Sequence, residues 1–106
     1  MNLLSLSSAQ HLQNVMAEKD PILLYFSTPH CNVCHAMWPK LLSALADYPY
    51  SLIEVDASRY PDLAGQHRVF VAPTVLVFYE GKEILRESRF IDIEKIQRLL
   101  DLIQSS

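Results

Sequence analysis

The sequence predicts an α/β fold with a central mixed sheet of four to five strands and helices on both faces. Residues 22–26 and 74–78 are unbroken or nearly unbroken apolar runs, bounded by Pro21 and by Pro73 and Gly81, as expected of strands buried on both sides. Residues 36–46 and 92–103 instead repeat apolar side chains at three- and four-residue intervals, the spacing of an amphipathic helix. Strand-like and helix-like segments alternate along the chain, which favours helices layered on a sheet over separate helical and sheet regions.

Taken in order, residues 2–6 predict a first strand. Ser7 opens a helix, with Gln10 completing a capping box and Leu12, Val15 and Met16 on one face; Asp20-Pro21 ends it. Residues 22–26 form the buried strand. A helix then runs to about Ala46, with Trp38, Leu41, Leu42 and Leu45 as its apolar stripe and Pro39 inside it, where the missing N–H predicts a kink. Tyr48-Pro49-Tyr50 turns the chain into a strand over 51–56, followed by a short helix over 62–67. Residues 74–78 and 83–87 pair as a hairpin across Glu80-Gly81-Lys82. Asp92 caps a last helix whose face is Ile93, Ile96, Leu99, Leu100 and Ile103. A chain of 106 residues, half of them apolar, suits one domain over 1–106.

A net charge of −3 with scattered basic residues lacks the footprint of a nucleic-acid binder, so Tyr48 and Tyr50 read as corner packing. No apolar run approaches the roughly 18 residues of a membrane span. The N-terminal segment lacks the basic start and cleavage pattern of an export signal, so the expectation is a cytoplasmic protein, acting as a monomer.

Reactive chemistry concentrates in Thr28-Pro29-His30-Cys31-Asn32-Val33-Cys34-His35, which holds both cysteines and two of the four histidines. In a reducing compartment a CxxC pair reads as redox or metal chemistry. Three residues is about one helical turn, which brings two Cα atoms within the roughly 4.4 to 6.8 Å that a disulfide requires. Free N–H groups at the helix start favour a thiolate at Cys31, whereas Cys34 shares the core-facing register of Trp38, Leu41 and Leu45. Cys31 is therefore the expected nucleophile and Cys34 the resolving thiol. No Asp or Glu lies between Pro21 and Ala46 to oppose the thiolate; His30 can tune it electrostatically. Glu54, inside an apolar strand, reads first as an outward-facing residue, with a buried acid serving Cys34 as the alternative, and His11 and His67 read as surface residues.

A strand ending in CxxC, Pro39 five positions after the second cysteine, Val69-Phe70-Val71-Ala72-Pro73-Thr74 downstream and Gly81 after the next strand together resemble the thioredoxin family over essentially the whole chain. The resemblance implies a thioredoxin-like fold and a cis Ala72-Pro73 peptide facing the cysteines. It also implies a substrate site shaped by Pro73, Ala72, His30 and Thr74, with backbone at Ala72 pairing with an extended segment. The implied activity is thiol-disulfide exchange on protein disulfide substrates with no cofactor, compatible with a thiol reductase such as a thioredoxin reductase as electron donor. The chain departs from the family's pattern at several places. His30-Cys31-Asn32-Val33-Cys34 stands for Trp-Cys-Gly-Pro-Cys, Tyr25 for the family's buried acid, Ser27 for a Trp and Phe70 for an Arg near the proline. Tyr25 and Pro39 are thus expected to modulate the site, since a phenol with a pKa near 10 is protonated at neutrality and cannot replace a carboxylate base.

Three other readings compete. The fold can serve as a non-catalytic binding module with idle thiols. Two cysteines and two histidines can supply four zinc ligands, although four within six residues crowd one helical turn. Cys31-Asn32-Val33-Cys34-His35 also matches the CxxCH pattern of haem attachment, which needs export and an axial-ligand environment that a buried strand and kinked helix do not suggest.

Overall fold

The computed structural model describes every residue except Ser7, Glu18 and Ser106, together with the side chain of Ala9. One five-stranded sheet runs in the order β1-β3-β2-β4-β5, from β1 (Asn2–Ser5), β2 (Ile22–Ser27), β3 (Ser51–Asp56), β4 (Thr74–Tyr79) and β5 (Lys82–Ser88). The helices among the described residues are α1 (Ala9–Met16), α2 (Asn32–Leu45), α3 (Pro61–Gln66) and α4 (Ile93–Ser105). The crossovers through α1 and α2 leave β1 and β2 parallel to β3 on either side of it, while β4 runs antiparallel to β2 and β5 antiparallel to β4. The expected α/β architecture with helices on both faces is thus present, with the fifth strand included.

Strand alternation divides the core. Leu24, Phe26, Ile53, Val55, Leu76 and Phe78 face Leu12, Val15 and Leu63 of α1 and α3. Leu23, Tyr25, Leu52, Val75 and Val77 face Leu41, Leu45, Ile96 and Leu100 of α2 and α4. The strands β2 and β4 are buried on both sides, which is why they read as apolar runs without alternation. The β4–β5 turn places Glu80 and Gly81 at φ 53° and 80°, a two-residue left-handed turn that matches strand twist.

Two expectations change. Helix α1 is capped by Ser8, whose Oγ accepts the His11 N–H at 3.0 Å; Ser7, the expected cap, lies outside the described residues. His67 is only partly at the surface. It is half-buried, with its ring 5.5 Å from the Phe78 ring and 6.2 Å from that of Phe26, and burial pushes its pKa down from the usual imidazole value. Sequence alone masks this because the aromatic partners lie far away along the chain. Tyr48 and Tyr50 pack at the corner as expected: Tyr50 is buried, and the Tyr48 hydroxyl donates to Asp101 Oδ1 at 2.6 Å.

Candidate active site

Three neighbouring strands deliver the site to one end of the sheet. The register pairs Phe26 near the end of β2 with Thr74 at the start of β4, and Thr74 with Ser88 at the end of β5. The loops beyond them are Thr28-Pro29-His30-Cys31, Val69 to Pro73, and Arg89-Phe90. They emerge side by side because their strands are hydrogen-bonded neighbours.

Cys31 is the N-cap of α2. Its backbone is extended (φ −90°, ψ 101°), and its Sγ accepts the Cys34 N–H at 3.1 Å while its carbonyl accepts the His35 N–H at 3.2 Å. Sulfur therefore stands where a Ser or Asp side chain would satisfy a free helix N–H. The two cysteines are joined in a disulfide with their Cα atoms 5.2 Å apart, inside the spacing expected for one helical turn. Cys31 is partly exposed, whereas Cys34 is only 1% exposed. Asn32 and Val33 face solvent. His30 is exposed, and His35 holds the loop through Nε2, 2.9 Å from the Pro29 carbonyl oxygen, to which a protonated Nε2 donates. Pro39 lies inside α2, so the His35 carbonyl lacks its intrahelical donor.

Tyr25 sits beneath this turn with no exposed surface, its ring centroid 5.0 Å from that of Trp38. Its hydroxyl donates to the Cys34 carbonyl at 2.8 Å. Burial, with the negative charge of Glu54 opposite it on β3, pushes the phenol up to about 12. At neutral pH Tyr25 is a hydrogen-bond donor that positions the backbone of Cys34. Glu54 itself is exposed, as its place in the strand suggested.

In the loop before β4, the Ala72–Pro73 peptide bond is cis. Pro73 is buried and Ala72 half-buried. Thr74 is fully buried, its Oγ1 donating to the Val71 carbonyl at 2.7 Å and lying 3.3 Å from Ser88 Oγ. The structure thus brings Thr28, Phe70, Val71 and Ala72 around one groove of about 350 Å³. Among the described residues no group of three or more His, Cys, Asp or Glu side chains is arranged to hold a metal ion.

Sequence reasoning missed two arginines at this end. Arg89, at φ 65°, donates its backbone N–H to the Pro73 carbonyl at 2.7 Å. Arg86 on β5 reaches the carbonyls of His67 and Arg68, the latter at 2.9 Å, and so fixes the start of the proline loop. Neither position leaves a compositional sign, because left-handed backbone at a non-glycine residue is not announced by the residue type. A charged side chain alternating with exposed residues on an edge strand reads simply as solvated.

The family model for thioredoxin matches residues 2–105. The thioredoxin-like protein YdfQ of Bacillus subtilis is 34% identical over 96 residues, covering 90% of this chain and 86% of that protein. The thioredoxin of Chlamydia trachomatis is 29% identical over 80 residues, covering 74% and 78% of the two chains. Among solved structures, a mutant thioredoxin from Halobacterium salinarum superposes with a TM-score of 0.84 at 19% identity, covering 94% of this chain and 88% of that one. The thioredoxin of Trypanosoma brucei brucei gives 0.83 at 20%, covering 97% and 92%, again a likeness of fold. With a family model over nearly its whole length and a CxxC pair at disulfide distance, the chain belongs to the thioredoxin family and carries the cysteine pair of its thiol-disulfide oxidoreductases.

Proposed function

We propose that the chain reduces or exchanges disulfides in protein substrates through the Cys31/Cys34 couple. The observation that carries this reading is the asymmetry of the pair, a partly exposed cysteine at a helix N-cap joined to one that is 1% exposed. In the reduced protein the Cys31 thiolate, held by the helix N-terminus and the Cys34 N–H, attacks one sulfur of a substrate disulfide. A mixed disulfide forms at Cys31 and the first substrate thiolate leaves to take a proton. Cys34 then loses its proton and attacks Cys31 Sγ, which releases the second substrate thiolate. The couple is left as the intramolecular disulfide, and two electrons have passed to substrate. A dithiol donor such as a thiol reductase returns them.

Pro73 and the backbone of Ala72 receive the substrate segment beside Cys31, with Thr74 anchoring the loop from below and His30 flanking the nucleophile. Tyr25 and Pro39 shape the turn that carries Cys34. The working form is a monomer of one domain, and the cytoplasm, where thiols stay reduced, suits the chemistry. Cys34→Ser should trap a mixed disulfide on Cys31 with a model protein disulfide, and Cys31→Ser should abolish reduction. Mass spectrometry of both variants decides it: adducts that form equally well on either remaining cysteine overturn the assignment.

A further inference from the structure

Two phenyl rings are the most exposed of the large apolar side chains among the described residues: Phe70 at 82% and Phe90 at 83%. Val71 at 44% and Val33 at 54% are exposed as well. Phe70, Val71 and Phe90 belong to the loops at the end of the sheet that carries Cys31, and Val33 to the first turn of α2. Phe70 and Val71 line the groove with Thr28, and Phe90 follows Arg89, whose N–H is bonded to Pro73. Apolar exposure gathered at one end of a sheet is what a surface covered in use presents.

The charge on the same loops has one sign. Residues 27–35, 67–74 and 88–91 contain Arg68 and Arg89 and no Asp or Glu, in a chain whose net charge is −3. The two acids nearest Arg89 along the chain are engaged, while Glu54 and Asp56 lie on the other side of the site, beside Thr28, Pro29 and His35. Glu87 accepts the Asp92 N–H at 3.0 Å and lies 3.7 Å from Lys95 Nζ, and Asp92 caps α4 by accepting the Lys95 N–H at 3.1 Å. Arg89 is itself exposed, on left-handed backbone directly after β5.

We propose that Phe70, Arg89 and Phe90 form a selective rim on the substrate site, fitted to disulfides that lie in an extended segment with apolar and acidic side chains. The proposal rests on the redox reading above and deepens it by naming a substrate class. The segment enters along the proline loop, its apolar side chains cover the two phenyl rings, and its carboxylate meets the Arg89 guanidinium in a geometry that a basic segment would oppose.

The test separates docking from chemistry. A ten-residue peptide with serines in place of its two cysteines, Leu and Phe beside them and two Glu at the flanks, is titrated into the oxidised protein and followed by amide NMR at Ala72. A second peptide carries Lys for Glu. The Glu peptide should bind about 5-fold more tightly at low salt, the scale of one exposed ion pair, and the difference should collapse near 1 M salt. Arg89→Glu should reverse the preference, and Phe70→Ser and Phe90→Ser should each weaken both peptides about 3- to 10-fold. Because all three side chains are exposed, these substitutions should leave the fold intact, and exchanging the peptide's charges tests the same point with no change to the protein. Equal binding of the two peptides by the wild type, or an Arg89→Glu variant that still prefers Glu, overturns the proposal. Resonance shifts that follow protein concentration and not peptide assign the surface to a second copy of the chain and overturn it too. Turnover of a small symmetric disulfide by the wild type is measured separately. Its absence removes the redox reading alone, and the peptide titration still decides docking.

Discussion

Tyr25 places a hydroxyl 2.8 Å from the Cys34 carbonyl in surroundings from which water is excluded. Its pKa, pushed up to about 12 from 10, sets the sign of a pH effect. A group whose folded pKa lies above its unfolded value stabilises the fold fully below the unfolded value and loses that contribution as pH rises through the folded one. Wild type should therefore exceed Tyr25→Phe by about 1 kcal/mol up to pH 10, the net value of one hydrogen bond. Between about pH 10 and 12 the difference should shrink and then reverse, since two pKa units are worth at most about 2.7 kcal/mol. Urea titrations of both proteins from pH 8 to 12 measure it, and a constant difference would contradict the burial argument. The same phenol bears on Cys34, which must lose a proton before it can attack, while burial disfavours a thiolate. A protonated phenol cannot take that proton, so resolution of a preformed Cys31 mixed disulfide should accelerate from pH 6 to 9. Stopped-flow kinetics that are flat over this range would point to another base near Cys34. The absence of a carboxylate at position 25 was legible from the sequence, but the hydroxyl's partner was not, because the bond depends on how α2 lies across β2.

The elements themselves were legible because each carries one periodicity: apolar runs for β2 and β4, a helical stripe for α2 and α4, turn residues at Glu80-Gly81. What escaped was how elements are tied to each other where a side chain reaches across to backbone. Arg86 is the example. From β5 it donates to the His67 and Arg68 carbonyls beyond α3 and to Glu83, whose carboxyl it holds below the usual range. The ion pair alone is about one-third exposed on each side and contributes little. The carbonyl contacts matter more, since a lysine can supply charge but not a planar fork of donors. Arg86→Lys should cost about 1–2 kcal/mol, and Glu83→Gln less than half of that. The larger sign is local: the Val69 amide, bonded to the Ala64 carbonyl at 2.8 Å, should exchange faster in Arg86→Lys. Unchanged exchange there would mean that the proline loop holds its place without this tie. For Glu83, with a depressed folded pKa, the contribution is present above its unfolded value and is lost as pH falls through the folded one.

At the scale of the whole molecule, two cores share one sheet, and β2 belongs to both. Leu23 enters the cluster of α2 and α4, and Leu24, the next residue, enters that of α1 and α3. Both are fully buried. A strand hydrogen-bonded to β3 on one side and β4 on the other cannot lose either face alone, because its backbone bonds and both sets of contacts fail together. The chain should therefore unfold in one cooperative step, as small single domains do. Trp38 lies on the α2 side, against Tyr25, and reports only that face. Leu24→Ala removes apolar volume from the opposite face, at a cost of about 2–5 kcal/mol. For a chain of this size each kcal/mol lowers Tm by about 4–8 °C. If the two cores are one unit, Leu24→Ala must lower the Trp38 fluorescence midpoint as far as the far-ultraviolet circular dichroism midpoint, and Leu23→Ala must do the same. A Trp38 transition that stays in place while the circular dichroism midpoint falls would show that the face carrying Cys31 and Cys34 melts independently of the other. The redox site would then be stabilised by α2 and α4 alone, and β2 would not couple the two layers.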